Sequence, residues 1–589
     1  MATTVGRYGR IALAFAGALA CTTATPALAS SAAEYFRARA HSTAVPELLS
    51  SADREYYSAL FAAIDAKEWS KVDAMFLART DGPLHQVAKA EYYLHSASPK
   101  VELPAIEAWL AQGTHLPQAT QIANLGLKRG LASTPGLPVE QQLVSQGYAS
   151  RRTLPSETTD GSMPGSVKAA ILERIKADDP DGARLLLDGV DASLSSEARA
   201  EWRQRIAWSY YIENQDAAAL GMAQTVRNGG SGAWVGEGDW AAGLAAWRLG
   251  DCTGAGEAFQ RAAGSARNPE LTSAGYYWAS RAAVRCREPE KAAEYLRGAA
   301  RMDETLYGML AREALGQELP GGKRTADFGL QDWQRLREAP NVRAAVALSE
   351  IGRDTLADEV LRYEAKIGPA SEYDALSRLA RELGLPSTQL WMAANAPRGA
   401  KAEPALRYPA PRWQPVNGWK VDPALAFAHT LQESRFQAGA VSPAGARGLM
   451  QIMPAAAKDH SGTLGYNGSP SDLNKPEVNL AFGQRHLSML RDSSATGGLL
   501  PKIMAAYNAG LTPLGRWNSE IRDQGDPLLF MESIPYWETR GYVAIVMRNY
   551  WMYERQAGAG SESRKALAQG MWPTFPELGG TGAVRMSAR

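Results

Sequence analysis

Glu433 closes the run FAHTLQE (Phe427 to Glu433) and is followed by Ser434 and then by AGAVSPAGARGLMQIMP, Ala438 to Pro454, a stretch of small residues. A carboxylate placed this way could be a proton donor, a metal ligand or a solvated surface charge. His429 and Glu433 stand at i and i+4, a spacing that suits two ligands on one helix face. A zinc-protease helix, however, needs His-Glu-x-x-His, and this one reads His-Thr-Leu-Gln-Glu. His460 and His486 add no ligand-like spacing, so no metal site is expected. Proton transfer is the better use of Glu433. Gly439, Gly445 and Gly448 in the following loop allow tight backbone and close approach of a ligand.

The element that must hold this carboxylate is a helix. Asp422-Pro423 is a helix start, with Asp as N-cap and Pro at the first helical position. At 100° per residue, Leu425, His429, Gln432, Glu433 and Phe436 fall in one sector. Glu433 therefore sits at the edge of a partly apolar face. A carboxyl group in such a setting tends to keep its proton near neutrality, as a general acid must.

Further blocks follow in order: Gly448-Leu449-Met450-Gln451, Ala506-Tyr507-Asn508-Ala509-Gly510, Glu532-Ser533-Ile534-Pro535 and Glu538-Thr539-Arg540-Gly541-Tyr542-Val543. Together with Glu433-Ser434 they make the region resemble the lytic transglycosylases, and the helical array ahead of it makes the chain resemble their soluble, ring-shaped type. The resemblance implies a small α-rich, lysozyme-like domain that cleaves the MurNAc–GlcNAc β-1,4 bond of peptidoglycan. Most glycosidases use two carboxylates. In this family one glutamate does both proton transfers, which puts Glu433 first as acid on the glycosidic oxygen and then as base on the sugar's C6 hydroxyl. The product is a 1,6-anhydro sugar, and no cofactor is implied. By the same resemblance Ser434, Met450 and Gln451 line the scissile bond, Tyr507 and Asn508 contact sugar, Glu532 binds substrate across the cleft and Tyr536 adds a contact beside it. The alternative reading of Glu532 is a salt bridge to Arg540 or another basic residue, and Arg540 and Tyr542 read as structural. The competing functions are a lysozyme-type hydrolase, with water as acceptor, and a non-catalytic cell-wall scaffold.

The rest of the chain must carry this domain. At 589 residues it is too long for one core. With 63 basic and 62 acidic residues its net charge is +1, which gives no footprint for nucleic acid. Residues 1–29 read as a secretory signal peptide, with Arg7 and Arg10 ahead of an apolar run and Ala27-Leu28-Ala29 at the cleavage site. Lipidation at Cys21 is the lesser reading, since the residues before it lack a large aliphatic at the usual place. No later segment is apolar for long enough to span a membrane. A monomer in the periplasm, acting on glycan strands, is expected.

The fold class expected is all-α. Residues 30–335 read as a superhelix of helical hairpins. WAAGLAAWRLGDCTGAGEAFQRAA (Trp240 to Ala263) and YWASRAAVRCREPEKAAEYLRGAA (Tyr277 to Ala300) align at a fixed offset. Both Cys252 and Cys286 fall near the end of a first helix in neighbouring repeats. In an oxidising compartment they are a disulfide candidate, two buried thiols being the alternative. Thr134 to Gly165 and Leu319 to Gly329 read as breaks. Residues 336–404 are expected as a separate helical linker domain, 405–556 as the catalytic domain, and 557–589 as a flexible tail.

Overall fold

A computed structural model describes residues 31–40, 44–319, 327–399, 404–466 and 468–578. The signal-peptide reading and Cys21 lie outside the described residues, as does most of the second break. Among the described residues the elements are 29 α-helices, three short 3-10 turns and two strands of three residues each, so the fold is all-α.

The hairpins in the middle of the chain show why this sequence coils as it does. In the helix Trp234–Leu249 nearly every residue is buried, because small side chains let neighbouring helices approach. A Cβ on Gly243 would stand 2.5 Å from the Phe259 ring of the next helix. Gly250 ends the helix in the left-handed region, and Asp251 caps the helix Cys252–Ser265 through the Gly254 amide. Trp240, Trp247, Phe259 and Trp278 then pack edge-on or tilted across three helices. Cys252 opens the second helix of its hairpin instead of ending the first, and Cys286 caps Pro269–Arg285; the two are bonded, with Cα atoms 5.7 Å apart. The bond closes a loop of 34 residues, for which the chain-entropy relation gives about 3 to 4 kcal/mol. Cys252→Ser with Cys286→Ser should lower the thermal midpoint of the oxidised protein, while leaving that of the reduced protein unchanged.

The chain path differs from the expected succession of domains. The first helices, Ser51–Asp65 to Ala119–Lys128, share one apolar core with Leu330–Leu336 to Pro386–Ala394. Tyr57, Phe61, Trp109, Leu348 and Leu361 are all within it. Glu350 accepts from the Leu48 and Leu49 amides and pairs with Arg54, and strand Leu143–Ser145 pairs antiparallel with Asn395–Pro397. The segment expected as a separate linker is therefore half of an N-terminal body. Generic Leu and Ala faces carry no address for their partner, which is why sequence order suggested otherwise.

The remaining hairpins share a second core with the catalytic region. Phe36, on the Ala32–Ala40 helix, packs edge-on against Phe427 of the helix bearing Glu433, 5.6 Å between ring centroids. The junction also has polar ties: Arg248 Nη2 donates to Ser533 Oγ (2.9 Å), Tyr307 Oη to Glu532 Oε1 (2.6 Å) and Arg548 Nη1 to Glu270 Oε1 (3.0 Å). The residues after 556 are packed as far as they are described, contrary to the expected tail. Glu562–Ala568 is helical, Leu567, Trp572 and Phe575 are buried, and Arg564 pairs with Glu313. Those apolar side chains supply the reason.

Candidate active site

Asp422 caps the helix Pro423–Glu433 by accepting from the Ala424 amide at 2.9 Å. The helix stops at Glu433 because Arg435 and Phe436 take positive φ angles of 52° and 63°. Two such residues in succession are costly, on the order of 1–3 kcal/mol each, and are held by surrounding structure. Here the buried Phe436 ring supplies the anchor, packed against Trp413 and Phe427. The turn leaves Glu433 as the last helical residue, at a cavity of about 560 Å³.

The loop after Glu433 is organised by one side chain. Asn479 Oδ1 accepts from the Met450 amide at 2.8 Å, and Nδ2 donates to the carbonyls of Arg447 and Leu473 at 2.9 and 2.8 Å. Gly448, with φ +75°, passes so close to Asn479 that no Cβ fits. Ser434 Oγ donates to the Leu449 carbonyl at 2.7 Å, and Gln451 Nε2 to the Gly448 carbonyl at 2.9 Å. Ser434 and Gln451 both line the cavity with Glu433. Met450 is fully buried against Gly483 and supports the loop from behind. Tyr507 Oη donates to the Met450 carbonyl at 2.8 Å, and Asn508 Oδ1 accepts from Thr539 Oγ1 at 2.6 Å.

Of the seven residues expected to bind substrate, Ser434 and Gln451 line the cavity, whereas Met450, Tyr507, Asn508, Glu532 and Tyr536 are not among its lining residues. Glu532 is 8% exposed and faces the helical array, where it accepts from Tyr307 beside Arg152 and Arg540. Nor is its ion pair with Arg540 formed: both Arg540 donors that have partners reach the Ile534 carbonyl. Tyr536 is 47% exposed, with its ring edge-on to Trp517, and is not among the residues lining the cavity.

Glu433 is held by Tyr542, whose hydroxyl donates to Oε1 at 2.6 Å. Burial pushes the Glu433 carboxyl up to about 7; the Tyr542 hydrogen bond opposes this, and the charge of Glu538 adds to it. Behind Tyr542 stands His429, fully buried, with Nδ1 2.8 Å from the Tyr542 oxygen and its ring 4.5 Å from that of Tyr507. Of the described residues lining the cavity, Glu433 is the only acid. Among the described residues no three His, Cys, Asp or Glu side chains converge as a metal site.

The opposite wall comes from outside the catalytic region. Gly147, Tyr148 and Arg151, from the helix-free segment between the N-terminal helices and the hairpins, line the same cavity. Arg151 Nη2 donates to Gln432 Oε1 at 3.2 Å, and the Arg435 guanidinium lies 4.6 Å over the Tyr148 ring.

Residues 414–530 match the transglycosylase SLT domain family. A soluble lytic murein transglycosylase of Haemophilus influenzae, so described provisionally, is 40% identical over 136 residues, which are 23% of this chain and 22% of that protein. The chain thus aligns with about a fifth of the length of the first curated relatives. A shorter relative decides the matter: the endo-type membrane-bound lytic murein transglycosylase A of Klebsiella pneumoniae is 31% identical over 143 residues, 22% of this chain and 70% of that protein. The chain belongs to the lytic murein transglycosylases. In overall fold this transglycosylase is similar to the 70 kDa soluble lytic transglycosylase of Escherichia coli, with a TM-score of 0.53 at 17% identity, over 89% of this chain and 99% of that one.

The sequence reading of the transglycosylase missed Tyr542 as a contact of Glu433. The two are 109 residues apart, and Tyr542 is one of several aromatics in its helix. It also missed the wall at Tyr148 and Arg151, which no pattern near Glu433 announces. One signal was available for Tyr542: it falls in the last of the ordered blocks that include Glu433.

Proposed function

We propose that this chain cleaves the β-1,4 bond between MurNAc and GlcNAc in peptidoglycan without consuming water. Glu433 gives its proton to the glycosidic oxygen. The carboxylate so formed takes the proton of the C6 hydroxyl as that oxygen bonds to the anomeric carbon, closing a 1,6-anhydro ring. The observation that carries this reading is that Glu433, pushed up to about 7, is the one carboxyl group among the described residues lining the cavity; Glu538, whose charge adds to that shift, is exposed and does not line it. A two-carboxylate hydrolysis needs a base or nucleophile within about 5–9.5 Å on the other face of the sugar. The tyrosine and amide groups around Glu433 suit recognition of sugar hydroxyls and N-acetyl groups. The site is proposed to work in the periplasm; among the described residues no helix is long and apolar enough to cross a membrane.

Mass spectrometry of products from purified sacculi tests the reading. Anhydro ends support it, and reducing ends would replace it with a muramidase. The pH dependence has a definite sign. The first step needs the protonated carboxyl, so the initial rate should be highest below about 7 and fall as pH rises through that value. Tyr542→Phe removes the hydrogen bond that opposes the upward shift, so the falling limb should move to higher pH.

A further inference from the structure

His429 is a buried imidazole that the proposed proton transfers do not use. It is fully buried, its Nδ1 meets the Tyr542 oxygen at 2.8 Å, and its Nε2 is buried with no hydrogen-bond partner among the described residues. The titratable groups facing it are Tyr507 from the helix Leu500–Ala509, Tyr542 from Trp537–Gln556, His486 from Pro476–Asp492 and, through Tyr542, Glu433 at the end of its own helix.

We propose that His429 is a positioning residue that fixes the direction of the Tyr542–Glu433 hydrogen bond and so confines the acidic proton of Glu433 to Oε2. The inference rests on the reading of Glu433 as the acid. A tyrosine hydroxyl has one hydrogen to donate. When Glu433 is a carboxylate, 2.6 Å from that hydroxyl, the hydrogen must point at Oε1. The Tyr542 oxygen is then an acceptor toward His429, and Nδ1 must carry the ring proton. Burial, with a smaller effect of His486, brings the imidazole down to about 3, so the ring is neutral and its other nitrogen is bare.

The alternative chain would run from a proton on Oε1 to the Tyr542 oxygen and from the Tyr542 hydroxyl to Nδ1. That arrangement requires the imidazole proton to move to Nε2. Among the described residues Nε2 has no hydrogen-bond partner to deliver or receive it. The tautomer is therefore locked, Tyr542 keeps donating to Oε1, and the proton that Glu433 takes up goes to Oε2. The atoms balance at every stage: Glu433 gains and loses one proton at Oε2, and the Tyr542 and His429 protons stay where they are.

The direct test is the tautomer itself. Solid-state 15N spectra of protein labelled in the histidine rings, with His429 assigned by difference against His429→Asn, should show a neutral ring protonated at Nδ1. A ring protonated at Nε2, or an imidazolium at neutral pH, overturns the proposal, whether or not Glu433 is the acid. Kinetics give a second measurement. His429→Leu removes the donor and should lower kcat about tenfold with KM little changed, while His429→Asn, whose amide can still donate to Tyr542, should recover most of the loss. In the Tyr542→Phe background His429→Leu should have no further effect on kcat. Equal losses in both backgrounds would show a merely structural role and sink the idea. If wild-type spectra show the Nδ1 tautomer yet Glu433→Gln stays active, the reading of Glu433 fails and the hydrogen-bond direction stands.

Discussion

Glu433→Gln should reduce release of anhydro products from sacculi by on the order of 10³-fold or more, with binding of glycan strands largely kept. The amide has nearly the shape of the carboxyl group, and its oxygen can still accept from Tyr542. What it lacks is an acidic proton and, after transfer, a basic oxygen, so both halves of the proposed reaction fail together. Among the described residues no other acid lines the cavity to take over. The comparison of glycan pull-down with product release in one preparation separates loss of chemistry from loss of fold. Undiminished release by the variant would remove Glu433 from the mechanism.

The second large effect is expected away from the reacting atoms. A Cβ at Gly448 would lie 2.2 Å from both Asn479 Nδ2 and the Leu473 carbonyl, on a backbone with φ +75°. The φ angle alone costs roughly 1 kcal/mol for alanine. Displacing Asn479 costs more, because its three bonds hold the Met450 amide and two carbonyls in buried surroundings, and each group left unpaired costs about 1–3 kcal/mol. Gly448→Ala should therefore lose about 3–5 kcal/mol of stability and most activity, as the Gln451 side of the cavity shifts. Gly445→Ala is the control. Its φ of +86° is just as unfavourable, but a Cβ there meets nothing within 4 Å, so a loss of about 1 kcal/mol is expected. Thermal melts of the two variants give the comparison; equal losses would mean that Asn479 is not what makes Gly448 special.

Much of this molecule could be read from its residues, for local reasons. The helix of Glu433 announces itself through Asp422-Pro423, and the phase of its apolar residues puts the carboxyl at a buried edge. The hairpins around Trp240 and Trp278 declare themselves by alanine and glycine at close helix crossings. What escaped the reading is long-range pairing. Helices of the N-terminal body meet residues 328–396 through faces that would fit many partners. Glu532 stands in one of the ordered blocks that suggested a substrate-binding role, yet the short helix Pro527–Ser533 turns its carboxylate to Tyr307. A block read from residue types suggests a role, and only a residue's neighbours in space tell whether it serves substrate or architecture.

The wall of the cleft that carries Tyr148 and Arg151 has a consequence for the order in which the protein can become active. Arg548, in the helix after Glu433's loop and its supports, hydrogen-bonds the Ser150 carbonyl across 398 positions of chain. Contacts of such span form late, since the intervening chain must first be ordered enough to close them. Without the segment that carries Tyr148 and Arg151, the helix of Glu433 would face an open half-groove. The complete cavity exists only when the first third of the sequence has met the last tenth. In a protein built this way, closure of the cleft reports that the two ends of the chain have found each other.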